Sequence, residues 1–481
     1  MKPDGGYSTC LVAIQLFGML LMTGCQPASV SDKTPKDETP TVRQPLRILV
    51  VDDPPLAEAI QREWNAQSQD PIQVNLTSVE EFQIDAAKQA DLLIFPTSWL
   101  GMLAEQRAIR PLPKSVLQPN SSAAKDYHWN DILPLIRRQE IRWGDETYAV
   151  SFGSPQLLLF YRKDLFDKWK LSVPKTWSEY QQVIHQIEEQ LQSDSTAKTV
   201  ESATVEPLGK GWAARTLLAR SAAYARHRSQ YSTHFDFASM RPLINSPPFV
   251  RAFQELTAAY ASMPESAIEQ TPHDVVKSLL NNQAAMGLAW PSASREAAPQ
   301  NVALRLGNLP GAIDVFQPSD GAWQQREAGI MQVPLLAVDG RLGAISRYGN
   351  NSEFSARFLL WLTDKQQSPR ISTRGFHTTL FRESQLVNAK MWVDNQLAAS
   401  ASDYAEIVRT EQSRPQWLMM PRIPGQRQYI EALDTAIRQA LTQQQKAQEV
   451  LDQVSSEWSN ITNKLGLEKQ RKAYLRDIGI E

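Results

Sequence analysis

The chain has 481 residues, 50 Lys and Arg against 52 Asp and Glu, a formal net charge of -2 and 42% hydrophobic residues. That length exceeds one ordinary compact core and the composition is globular, so two or three domains are expected and a wholly disordered chain is excluded. The near-balanced charge offers no electrostatic footprint for nucleic acid. The two cysteines, Cys10 and Cys25, both lie near the start and leave the body without a disulfide, zinc cluster or thiol nucleophile.

An apolar run from Leu11 to Met22 ends in Leu21-Met22-Thr23-Gly24-Cys25. It is shorter than the ~20 residues of a spanning helix and is followed by small residues, the pattern of a secretory signal. A Cys directly after Thr-Gly resembles the lipobox of bacterial lipoproteins. The resemblance implies cleavage before Cys25 and a diacylglycerol on its thiol, although Met22 stands where that motif usually has Leu. Residues 1–24 are then the signal peptide. Residues 25–45, rich in Pro, Ser, Thr, Lys and Asp, have the composition of a disordered tether.

Order is expected from Leu46-Arg47-Ile48-Leu49-Val50-Val51, a buried-strand pattern that stops at Asp52-Asp53-Pro54-Pro55. A helix follows with Leu56, Ile60 and Trp64 on one face, then strand patterns at 72–76 and 90–95. Strands alternating with helices predict a parallel sheet, and such sheets hold ligands at the carboxyl ends of their strands. Asp52, Asp53, Phe95, Thr97, Ser98 and Trp99 read as lying just past strand ends. One of the two aspartates has the competing role of capping the helix after Pro54-Pro55.

The next segment runs Tyr148-Ala149-Val150-Ser151-Phe152-Gly153-Ser154, then Leu157-Leu158-Leu159-Phe160-Tyr161-Arg162-Lys163-Asp164-Leu165-Phe166 and Val173-Pro174-Lys175-Thr176-Trp177-Ser178-Glu179. Thr176 or Ser178 is placed to cap a helix carrying Tyr180, Val183, Ile184 and Ile187. This segment resembles the family 1 extracellular solute-binding proteins of bacterial ABC importers, the maltose-binding type. Leu279 to Leu288, Gly343 to Ser346 with Phe354 to Thr363, and the apolar positions from Ile430 to Trp458 match that family in order. The resemblance covers roughly residues 45 to 465. Ser193 to Pro207 reads as a polar insertion, and Gln470 to Glu481 runs past the family's usual end.

The resemblance implies an α/β, two-lobed periplasmic-binding-protein fold of type II, with discontinuous lobes joined by a hinge and a ligand cleft between them. The N-terminal lobe is expected from 46–150 and 311–363, and the C-terminal lobe from 151–310 and 364–481. The chain is expected to cross at Tyr148 to Ser154, again near Leu306 to Gly311, and a third time near Thr363. The ligand candidates are Trp290, Trp99, Phe95, Asp53, Ser98, Trp212 and Trp323. Trp290 is placed by the matching loop of relatives, the others by position beside strand ends or turns, and each has packing as its alternative role. Trp169, Trp177, Trp361 and Trp458 sit at helical spacing and are expected to be structural.

The function implied is an extracytoplasmic lipoprotein, in the periplasm or at the cell surface. It would capture a small polar solute, a sugar or oligosaccharide, and hand it to an ABC permease. No catalytic residue, metal or cofactor is expected, since no Gly-x-Ser-x-Gly, phosphate-binding loop or His-Glu-x-x-His occurs. The expected partners are the solute, the permease and, through the lipid anchor, the membrane; the chain is expected to be a monomer. A ligand sensor for a membrane receptor or kinase shares the same fold. A glycan-active enzyme would need two carboxylates about 5 to 9.5 Å apart, and no recognisable pair stands out.

Overall fold

The computed structural model describes residues 44–193, 200–291 and 302–480. The signal, the tether and Cys25 fall outside them, as does the chain just after Pro291. Leu46–Val51 pairs in parallel with Ile72–Thr77 and with Leu92–Pro96. Every residue of Leu92–Pro96 is buried, as are all but one of Leu46–Val51, as expected of strands covered on both faces. The first sheet is completed from a distance: Arg341–Ser346 runs antiparallel to Leu92–Pro96, with Leu342 opposite Phe95, and pairs also with Ala149–Ser151 and Ile109–Arg110.

A second sheet orders Leu304–Gly307, Leu158–Arg162, Ala284–Ala289 and Ser202–Val205. Its centre accepts close backbone approach, because a Cβ on Gly287 would meet the Val205 carbonyl at 2.5 Å. The stretch 193–207 is therefore not simply an insertion: Ser202–Val205 is a fully buried strand, whose short Ser-Ala-Thr-Val sequence gives little local sign of it.

Local signals set the helices. Asp53 caps Pro54–Asn65 by accepting the Leu56 N–H at 3.2 Å, and proline occupies the first turn. The predicted apolar face holds: Leu56 and Ile60 are buried, and Trp64 meets Phe358 and Trp361 edge-on, with centroids 4.8 and 5.0 Å away. Of the two candidate caps for Trp177–Ser193, Thr176 is the one used, its hydroxyl accepting the Glu179 N–H at 3.1 Å. Trp169, Trp177 and Trp458 are buried and Trp361 packs against Trp64, so these four tryptophans are structural.

The helix Ala213–Ala225 is buried along its length except at Arg215. It packs on Pro247–Tyr260 and on Gln426–Gln443. Inside, Arg220 pairs with Glu206, both at most 1% exposed, and its guanidinium lies 4.2 Å from the Trp177 ring centroid.

The passages between sheets differ from expectation in two places. The first falls at 152–157, between Ala149–Ser151 and Leu158–Arg162, beside the expected segment. The second is not at Leu306–Gly311. Leu304–Gly307 pairs with Leu159–Arg162 inside the second sheet, and the hairpin Asp314–Gln317 with Ala322–Gln325 packs on second-lobe helices. The return to the first sheet comes between Leu336 and Arg341. Thr363 likewise stays in the first lobe, where its hydroxyl lies 2.9 Å from that of Tyr127 and its carbonyl accepts from Arg382. The chain rejoins the second sheet only near Ser400, which donates to the Leu304 carbonyl. Distant strand pairing and hydrogen bonds to residues far along the chain decided what local pattern could not.

The C-terminal extension folds as Leu467–Asp477, burying Gln470, Ala473 and Tyr474. Arg476 reaches Glu105 of the first lobe at 2.7 Å, while the Tyr474 hydroxyl sits against the backbone of 233–235 in the second.

Candidate functional site

The carboxyl ends of the first sheet and the two returning segments bring a polar group together. Asp52 follows its strand with φ +52°, a conformation few non-glycine residues adopt. Its carbonyl accepts from Arg341 Nη2 at 3.1 Å. Burial raises the Asp52 carboxyl pKa, opposed by Arg341 and His377. Asp53 is fully buried, and besides capping its helix its carboxylate receives the backbone N–H groups of Phe376 and His377 at 3.3 and 3.5 Å.

Asp339 is the centre of the charge. His377 Nδ1 lies 2.8 Å from its carboxylate, Arg341 Nη1 3.5 Å and Arg215 Nη2 3.7 Å. Burial alone would raise the Asp339 carboxyl, but the His377 ring and the Arg341 and Arg215 guanidiniums together hold it well below the usual carboxylate range. Arg215 belongs to the second lobe, so this cluster spans both lobes. The Thr97 and Ser98 hydroxyls are buried at the end of Leu92–Pro96 and have no hydrogen-bond partner among the described residues. Buried hydroxyls left unpaired carry a desolvation cost.

The second lobe contributes two nearly buried tryptophans, Trp212 at 7% and Trp290 at 5% exposed. Trp290 follows Ala284–Ala289 and meets Trp212 edge-on at 4.6 Å between centroids. Trp290 also lies 6.4 Å from the His377 ring, and the Arg215 guanidinium sits 5.0 Å from the Trp212 ring. Trp212 is held in place from behind. Asp434 accepts the N–H groups of Gly211 and Ala214 at 2.8 and 3.1 Å, pinning the turn that carries it. Burial raises the pKa of that carboxyl.

Of the residues singled out from sequence, Trp290, Trp212 and Asp53 belong to this group, and Ser98 lies at its edge. Trp99 is 3% exposed, packed on Phe82 with centroids 5.0 Å apart and with Arg427 5.5 Å from its ring. Phe95 does not lie past its strand: it is fully buried within Leu92–Pro96, opposite Leu342. Trp323 lies elsewhere too. It meets Tyr224 edge-on with centroids 5.9 Å apart, near the end of Ala213–Ala225 opposite Trp212, and twelve helical residues separate those ends by roughly 18 Å. Sequence reasoning missed Arg215, Asp339, Arg341 and His377. Asp339 and Arg341 stand at the start of the strand Arg341–Ser346, and their partners Arg215 and His377 are distant in sequence.

A family model described as bacterial extracellular solute-binding protein matches residues 52–367. Comparison with curated protein sequences returns no match. Among solved structures, an ABC transporter solute-binding protein from Agrobacterium radiobacter K84 in complex with ribitol is similar, with a TM-score of 0.65 at 18% identity, covering 87% of this chain and 100% of that one. A maltose-bound T. maritima MalE3 gives 0.63 at 15% identity, covering 86% and 99%. A solute-binding protein from Agrobacterium vitis S4 with bound D-mannitol gives 0.63 at 18% identity, covering 88% and 99%. At these identities the likeness shows the fold, a mixed α/β architecture of the two-lobed solute-binding type.

Proposed function

The chain belongs to the family of bacterial extracellular solute-binding proteins, and from that premise we propose that it captures a neutral polyhydroxylated solute, a sugar or polyol, between its lobes. The observation that carries this reading is the corner formed by Trp212 and Trp290 facing the Asp339 cluster. Aromatic faces suit the apolar CH surfaces of a sugar ring, and a few fixed polar groups suit its hydroxyls. Three carboxylates, Asp52, Asp53 and Asp339, stand against the guanidiniums of Arg215 and Arg341 and the imidazole of His377. This near balance favours a neutral guest over an ionic one. Similar structures hold ribitol, maltose and D-mannitol, which supports the same ligand class.

The activity is capture and delivery, with no covalent step. The ligand draws Arg215 and the two tryptophans onto the first lobe, and the closed form docks on the permease of an ABC importer. Cys25 carries the lipid that keeps the protein at the membrane outside the cytoplasm. The test is thermal unfolding of the mature protein against sugars, polyols, amino acids and phosphate esters. A ligand of the folded state adds about 2.7 kcal/mol of stability at a hundredfold excess over Kd. A shift confined to sugars or polyols supports the reading; a shift confined to amino acids or phosphate esters overturns the ligand class.

A further inference from the structure

A cavity of about 780 Å3 shares no lining residue with the Trp212–Trp290 corner. Its walls include Arg226, Arg228, Tyr231, His234, Trp417 and Asp477, and Gln139 borders it from the first lobe. Its charge is unbalanced. Asp477 is already taken by Arg422, at 2.7 Å with both side chains at most 4% exposed. Arg226, in contrast, has no carboxylate partner among the described residues: Nε donates to the Trp417 carbonyl at 3.0 Å, and Nη1 is buried without a partner. Burial lowers its pKa. Behind it stands a second guanidinium in the same condition. Arg326 donates to the Ala223 and Arg226 carbonyls and to the Gln416 side chain, its Nε has no partner among the described residues, and burial lowers its pKa to about 10. Arg228 adds an exposed cation at the rim, 3.9 Å from an equally exposed Glu327.

Thr233, His234 and Tyr474 close another part of the wall. The N–H groups of Thr233, His234 and Phe235 all aim at the one hydroxyl oxygen of Tyr474, at 3.3, 3.3 and 3.4 Å, longer than well-made bonds. His234 donates through Nε2 to the Met419 carbonyl, and burial lowers its pKa, which disfavours the cationic ring. Tyr231 is 64% exposed beside Arg226, whose guanidinium lies 5.7 Å from its ring. Desolvating guanidiniums without counter-charge is costly unless something repays it.

We propose that this cavity is a second binding site, separate from the interlobe cleft, for a small organic anion: a carboxylate or phosphate ester with a flat apolar part. Arg226 and Arg228 hold the anionic head and the Tyr231 and Trp417 rings hold the flat part. Phenyl phosphate is the probe, titrated calorimetrically into the full chain beside inorganic phosphate and phenol. Saturable binding of phenyl phosphate is expected, tighter than inorganic phosphate, with none for phenol. Arg226→Gln should weaken it by at least about tenfold, the cost of removing a charge-assisted hydrogen bond. Arg228→Gln, an exposed change that leaves the fold intact, should weaken it by a smaller factor. Trp290→Ala should leave it unchanged, which separates this site from the cleft. The proposal is overturned by absence of saturable binding below about 10 mM, by phenol binding as well as its phosphate, by indifference to both arginine changes, or by loss of binding in Trp290→Ala.

Discussion

Glu140 Oε1 accepts the backbone N–H of Ala337 at 2.9 Å, across 197 positions of sequence. The same oxygen accepts the Ser154 hydroxyl at 2.9 Å. Ser154 lies in the first passage between the sheets and Ala337, with φ +57°, in the second. One fully buried carboxyl at the end of the π-helical turn Ile136–Glu140 therefore ties the two crossing segments together, and such turns recur at functional places. Burial drives its pKa from 4.5 up to about 6, against the Ala337 and Ser154 hydrogen bonds and the Arg422 charge; its Oε2 has no partner among the described residues.

The folded state thus binds the Glu140 proton more tightly than the unfolded chain does. Its contribution is fully present below about pH 4.5 and is lost as pH rises through about 6, an effect of about 2 kcal/mol. Glu140→Gln should flatten the pH dependence of the unfolding free energy between pH 4.5 and 7 by that order. Urea titrations across that interval check it, and an unchanged slope would remove Glu140 as its source.

Arg220 and Glu206 form an ion pair with almost no exposure. Arg220→Ala leaves Glu206 charged and buried without its partner and should cost about 3 to 5 kcal/mol. Replacing both, as Arg220→Met with Glu206→Leu, should cost less than that single change. Denaturant midpoints of the three variants decide it, and a double variant worse than Arg220→Ala would contradict the desolvation account.

The C-terminal helix contacts both lobes through pairs of unequal weight. Asp477→Ala strips Arg422 of its buried partner, although Arg422 Nη1 also donates to the carbonyls of Gln139, Glu140 and Arg142. A loss of about 3 kcal/mol is expected. Arg476→Ala breaks a pair whose members are 37% and 21% exposed and should cost under about 1 kcal/mol. Comparable losses in thermal unfolding would show that the two pairs are not graded by burial.

Trp290→Ala and Trp212→Ala should each lower affinity for the cleft solute by at least about tenfold, since each removes one aromatic wall of the corner. Trp323→Ala, at the far end of Ala213–Ala225, should leave it unchanged. Calorimetry with whichever solute emerges from the thermal screen tests all three, and equal effects would place Trp323 in the site after all.

Periodicity, caps and composition made much of this protein legible in its sequence: Leu46–Val51, the face of Leu56, Ile60 and Trp64, the Thr176 cap and the buried tryptophans. Those features depend on neighbours a few residues away, where propensity and the apolar period act directly. Family-like order along the chain pointed to the two-lobed plan and, through its loop, to Trp290. Tertiary structure alone decided the rest. Ser202–Val205 becomes a strand because it lies beside Ala284–Ala289, and Leu304–Gly307 stays in the second sheet because of its register with Leu159–Arg162. Phe95 is removed from the site by pairing with Leu342. Asp339, Arg215, Arg341 and His377 become one cluster only when the chain has crossed between the lobes, for the strength of a charge contact depends on distance and burial in space, and neither is written in the order of residues.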